Sequence, residues 1–186
     1  MKKVYLLLLL ALSVCFSSFS QSETEKKSES LTVAFMDKYG KLLEENRYEV
    51  GKVSGIKFDV VILKNILDGK KIGSLRITTK RTSMLYYGYI DYDEIDNCIQ
   101  ALIYFKDKVL LTQLDDGSNF KEVLYRTRDY VELGVRIETW PNEDWAPYIL
   151  THSYNDDSIE KFRPKDIEKI ISIFNNAKDL IAEKLK

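Results

Sequence analysis

Residues 56–79 read IKFDVVILKNILDGKKIGSLRITT, and their arrangement decides the fold class. Ile56 to Leu67 is crowded with β-branched and aromatic side chains, which a pleated, half-buried backbone accommodates best. Asp68-Gly69 then supplies a turn, and Ile72 to Thr79 alternates Leu75 and Ile77 with Arg76 and Thr78. Two such runs joined by a short polar turn form a β-hairpin, so pairing is antiparallel.

The same reading extends outward in both directions. Leu43 to Val53 is a weaker strand before the hairpin, and Met84 to Ile90 a tyrosine-dense strand after it. A helix is expected from Tyr92 to about Lys106, because Ile95, Cys98, Ile99, Leu102, Ile103 and Lys106 repeat at helical spacing and leave Asp96, Asn97 and Gln100 to solvent. Strands follow at Val109 to Leu114, Phe120 to Thr127 and Tyr130 to Thr139, with Asp115-Asp116-Gly117 as a turn after the first. In the third of these, Val131, Leu133, Val135 and Ile137 alternate with Glu132, Arg136 and Glu138, so one face meets a core and the other water. A loop carrying Trp140, Pro141, Trp145 and Pro147 leads to a short strand, Tyr148 to His152. After the polar turn Asn155-Asp156-Asp157-Ser158, the last helix runs from Pro164 to about Leu185. Its stripe is Ile167, Ile170, Ile171, Phe174, Ala177, Ile181 and Leu185, with Phe162 placed to staple onto Ile167. Near the start, Leu31, Phe35 and Tyr39 predict a short helix stopped by Gly40.

Sequential strands with one inserted and one terminal helix predict an α+β fold. The expected form is an antiparallel β-meander, curved or barrel-like, with the inserted helix and the C-terminal helix packed on one face. No internal repeat is evident.

Lys2 and Lys3, the apolar run Val4 to Leu12, and Ser18 and Ser20 before Gln21 have the layout of a signal peptide, residues 1–20, cleaved after Ser20. Anchoring through a lipid on Cys15 is the minor alternative, because bulky Val14 precedes the cysteine where a small residue is wanted. Residues 21–30, QSETEKKSES, lack any large apolar side chain and read as a disordered tether to a single domain over 31–186. Losing Lys2 and Lys3 moves the net charge from −1 to −3. With no basic excess or stripe, nucleic-acid binding is disfavoured. Cys98 is the one cysteine beyond the leader, which excludes an intramolecular disulfide in the cleaved chain.

Several constellations invite functional readings. Asp91, Asp93, Glu94 and Asp96 resemble a metal cluster, but a calcium loop counted from Asp91 has Ile95 at its fifth position and Asp96 where glycine is required. The same residues fit a helix start better, with Asp91 as N-cap and Glu94 completing a capping box. His152 is the only histidine, and no Gly-x-Ser-x-Gly elbow or second imidazole accompanies it. Cys98 lies on the apolar helix stripe beside acidic residues, the setting of a core thiol. Glu143 and Asp144 are the first carboxylate pair to inspect for glycoside chemistry, with little to favour them. Lys70, Lys71, Lys80 and Arg81 read as solvated edge protection.

The aromatic residues carry the binding reading. Trp140 and Trp145 occupy a polar, proline-bounded loop, either as exposed faces for a sugar or protein or as plugs folded into the end of the sheet. Alternation sends Tyr87 and Tyr89 to one face of their strand and Tyr86 to the other.

Residues 89–96, YIDYDEID, and the preceding Gly73-Ser74-Leu75-Arg76-Ile77 resemble segments of small exported bacterial proteins of unknown function, a likeness spanning about residues 31–110. The resemblance implies an exported family and no activity. Together these readings lead to an expectation of a non-enzymatic binding module of the periplasm, cell surface or exterior. No cofactor is expected, and its candidate residues are Trp140, Trp145, Tyr87 and Tyr89. An envelope protein, a glycan or a small apolar ligand is the expected partner. A carrier of a lipid-like ligand, its cavity lined by the tyrosine strand beneath the C-terminal helix, is the alternative, and an envelope hydrolase ranks last.

Overall fold

The computed structural model describes residues 29–37, 40–81, 83–112, 120–138, 144–151 and 158–186. The expected signal peptide, Cys15, nearly all of the tether, the turn at Asp115 to Gly117, Trp140, Glu143 and His152 lie outside the described residues.

The hairpin forms as its composition requires. β2 (Ile56–Asn65) and β3 (Lys71–Arg81) pair antiparallel, with Val60 opposite Leu75 and Phe58 opposite Ile77. The connection closes through Gly69 N–H to Asn65 O at 2.8 Å, with Gly69 at φ 72° in the left-handed region that favours glycine. β1 (Leu43–Val53) and β4 (Met84–Asp91) flank the pair, giving the order β1-β2-β3-β4. A short helix α1 (Leu31–Met36) precedes this sheet. After it come a 3₁₀ turn, Tyr92–Glu94, and α2 (Ile95–Asp107).

A second antiparallel sheet follows: β5 (Phe120–Arg126), β6 (Glu132–Glu138), β7 (Trp145–Leu150) and β8 (Ile159–Lys161), in that order. The chain ends with a 3₁₀ turn at Pro164–Asp166 and α3 (Ile167–Leu185). The α+β class and the antiparallel strands are as expected, but the single curved or barrel-like sheet is replaced by two separate open sheets. The expected strand at Val109 to Leu114 begins instead as a 3₁₀ turn, Val109–Leu111, in which Val109 O accepts from both the N–H and the hydroxyl of Thr112.

The helices are exchanged between the sheets. α3 lies across β1, β2 and β3, whereas α2, which follows the first sheet, packs on β5 and β6 and against α3. Both helices therefore contribute to one core, which joins Phe58, Val60, Leu75 and Ile77 to Leu102, Phe105, Leu133, Val135, Phe174 and Ile181. Its fit is close under α3: a methyl group added at Gly73 would sit 2.5 Å from Ile181 Cγ2, and one at Gly51 would sit 2.6 Å from Ile173 Cδ1. On the other face of the first sheet, Phe35 and Met36 cover a smaller cluster of Val61, Leu63 and Tyr89. Among the described residues, no helix is long and apolar enough to cross a membrane.

Candidate binding site

Trp145 opens β7 with its side chain turned into the core. Its indole N–H donates to Thr112 O at 2.9 Å, satisfying the one polar atom that burial would otherwise strand. Of the two alternatives for this residue, the structure gives the plug. Asp144, beside it, is exposed.

Tyr87 and Tyr89 share a face of β4, as alternation predicts, and that face points away from α3. Tyr87 is half exposed, with Arg76 over its ring at 4.2 Å and Tyr89 edge-on at 6.0 Å. Tyr89 is buried beneath α1, and that burial raises its phenol pKa. These rings therefore do not line a space under the C-terminal helix.

The acidic segment holds the molecule together by longer-range bonds than the capping box supposes. Asp91 makes no side-chain bond to the helix that follows it. Its carboxylate receives Leu31 N–H (2.7 Å), Thr32 N–H (3.0 Å), the Thr32 hydroxyl (2.6 Å) and the Ser30 hydroxyl (3.2 Å), so it caps α1 from across the fold. Arg128, in the β5–β6 connection, bridges to Asp91 (3.3 Å), Asp93 and Glu94 (3.3 Å), while its backbone N–H donates to Glu94 Oε1 at 3.0 Å. Asp96 pairs with Lys178 of α3 at 2.6 Å. Each of these carboxylates is engaged by protein donors. Cys98 is buried on α2, where burial foremost, and the nearby Glu94 charge, push its thiol up out of the reactive range.

The feature missed by the sequence reading is a groove between α2 and β5, of about 700 Å³. Ala101, Tyr104 and Phe105 line it from the helix and Val123, Leu124 and Tyr125 from the strand. Phe105 forms a buried floor, whereas Tyr104 is 56% and Leu124 38% exposed. Asn97, Gln100, Asp107 and Lys108 give the rim its polar groups. A signal was present in the sequence: Tyr104 belongs to the helical line Asn97, Gln100, Ala101, Tyr104 and Lys108, away from the core stripe, where a large aromatic ring has no packing reason to sit.

Such a groove can hold apolar groups by desolvation and orient them by its polar rim. Comparison with family models, with curated proteins and with solved structures returns no match.

Proposed function

We propose that the chain is a non-enzymatic binding module, exported to the bacterial envelope, which takes its ligand in the groove between α2 and β5. The observation that carries this reading is an open, mainly apolar groove bordered by solvent-facing Tyr104 and Leu124. Large apolar side chains brought together at a surface cost solubility unless something covers them. Support for export comes from Lys2-Lys3, the apolar run Val4 to Leu12 and the small residues Ser18 and Ser20. Among the expected partners, this lining favours a protein segment or a small apolar ligand over a glycan, whose stacking needs a broader aromatic platform. A ligand held beneath the C-terminal helix has less support, because Gly51 and Gly73 let Ile173 and Ile181 close on the sheet there.

The test is titration of the purified protein with the apolar fluorophore 1-anilinonaphthalene-8-sulfonate, alongside the groove-filling variant Ala101→Trp. Saturable enhancement with the parent, lost in the variant while its melting curve is retained, is the expected result. Absence of binding to the folded parent, or equal binding to the variant, would refute the groove as the site.

A further inference from the structure

Resting on that reading of the groove, we infer that its occupant is an extended peptide that adds to β5 as a further strand, antiparallel to it, with a carboxylate at the end marked by Lys108 and Lys121. β5 is the outer strand of its sheet, and among the described residues its strand partner is β6 alone. An outer strand presents main-chain donors and acceptors that a peptide can use. The other outer strands are guarded. β1 carries the charged run LEENRYE, β8 is three residues long, and on β4 the Tyr89 N–H is taken by Asp129 Oδ2 at 2.7 Å.

The dimensions agree with an extended occupant. From Asn97 to Lys108 the helix wall rises about 16 Å at ~1.5 Å per residue, the length of about five strand residues. Alternate side chains of such a peptide would meet Ala101 and Phe105 on one side and Leu124 with exposed Phe120 on the other.

Orientation follows from charge. Arg128, two residues past the end of β5, pairs with Asp93 and Glu94 just ahead of α2, so α2 and β5 run in opposite directions and Lys108 lies toward the start of the strand. Lys121 occupies that start, two residues ahead of Val123 on the same face. Among the described residues neither lysine has an ion-pair partner, whereas Asp107 lies 3.5 Å from Lys106. A strand antiparallel to β5 finishes beside Lys108, which places its terminal carboxylate, or an acidic last residue, against both ammonium groups.

The test is selection of the purified protein against random heptapeptides displayed with free carboxyl ends, then titration of an enriched peptide and amide hydrogen exchange on β5. Enriched peptides should alternate apolar residues and slow exchange along β5. They should also weaken by about tenfold or more when amidated at the carboxyl end, or when the protein carries Lys108→Glu with Lys121→Glu. Binding that ignores amidation and both lysine changes would overturn the orientation. No enrichment by a protein whose groove binds the apolar fluorophore would overturn strand addition and leave the groove reading standing. Peptides that bind Ala101→Trp as well as the parent would overturn both.

Discussion

Replacing Asp91 with asparagine tests the claim that one buried carboxylate fastens α1 to the domain. Thr32 is fully buried, and both its N–H and its hydroxyl donate to Asp91 Oδ1. Leu31 N–H and Arg128 use Oδ2. Asparagine retains one acceptor oxygen but sets an NH₂ group against donors at the other position. At about 1–2 kcal/mol for each compromised buried donor, and with Leu31 able to turn to water, the expected cost is about 3 kcal/mol. With a urea slope of about 2 kcal/mol per M, the midpoint should fall by about 1.5 M. Should α1 detach by itself, the global loss is capped at the free energy of its docking, so a local readout is needed. The amides of Ala34 and Asp37, bonded to Ser30 O and Val33 O, provide it: their exchange should accelerate in Asp91→Asn. A cycle with Thr32→Val should show coupling of about 1 kcal/mol or more. Unchanged protection at Ala34 and Asp37, with a midpoint within about 0.3 M of the parent, would refute the reasoning.

Other expectations follow from single contacts. Gly73→Ala should cost about 1–3 kcal/mol in urea denaturation by pressing on Ile181, and pairing it with Ile181→Ala should cost less than the sum of the two single changes. Trp145→Phe should lose about 1–2 kcal/mol, because Thr112 O loses its indole donor. In the folded protein Cys98 should resist a disulfide reagent at pH 8, with peptide mapping finding it modified only after denaturation. Arg163, bonded to Asp166, holds that carboxyl below its ordinary range, so the interaction is complete above the ordinary carboxylate pKa and is lost as pH falls through the depressed value. Carboxyl-carbon NMR should find Asp166 titrating low, returning to the ordinary range in Arg163→Ala.

Local pattern made much of the fold readable. The hairpin follows from β-branched composition, the turn residues and the alternation after them, β1 lies where a weaker strand was expected, and five of the seven residues in the expected α3 stripe are buried. Ile173 and Phe105 enter the core where Ile171 and Lys106 were expected, because each helix faces both a sheet and the other helix, widening the buried arc. β8, with sequence IEK, is too short to show a period. Division into two sheets leaves no local mark either, since alternation says that a strand has two faces and not which strand lies beside it. Asp91 shows the same limit at the level of a side chain. It satisfies every local requirement of an N-cap, yet donors from Ser30 to Thr32, about sixty residues away in sequence, claim its oxygens.

The exchange of helices also accounts for the position of the groove. Each half of the chain is a four-stranded antiparallel sheet followed by a helix, and each helix covers the sheet of the other half. The halves are unequal in reach: α3 has 19 residues and α2 has 13, a difference of about 9 Å at ~1.5 Å per residue. The longer helix spans three strands of the first sheet and is let down onto them by Gly51 and Gly73. The shorter one meets β5 and β6, and on its β5 side Val123, Leu124 and Tyr125 line an open groove instead of a closed contact. Lengthening α2 would not close that groove, because its helix wall includes Asn97, Ala101 and Tyr104, which lie within the helix and not at its end. A bulky side chain at Ala101 would occupy the space itself, which is why filling Ala101 is the perturbation that separates a binding site from an imperfectly covered sheet.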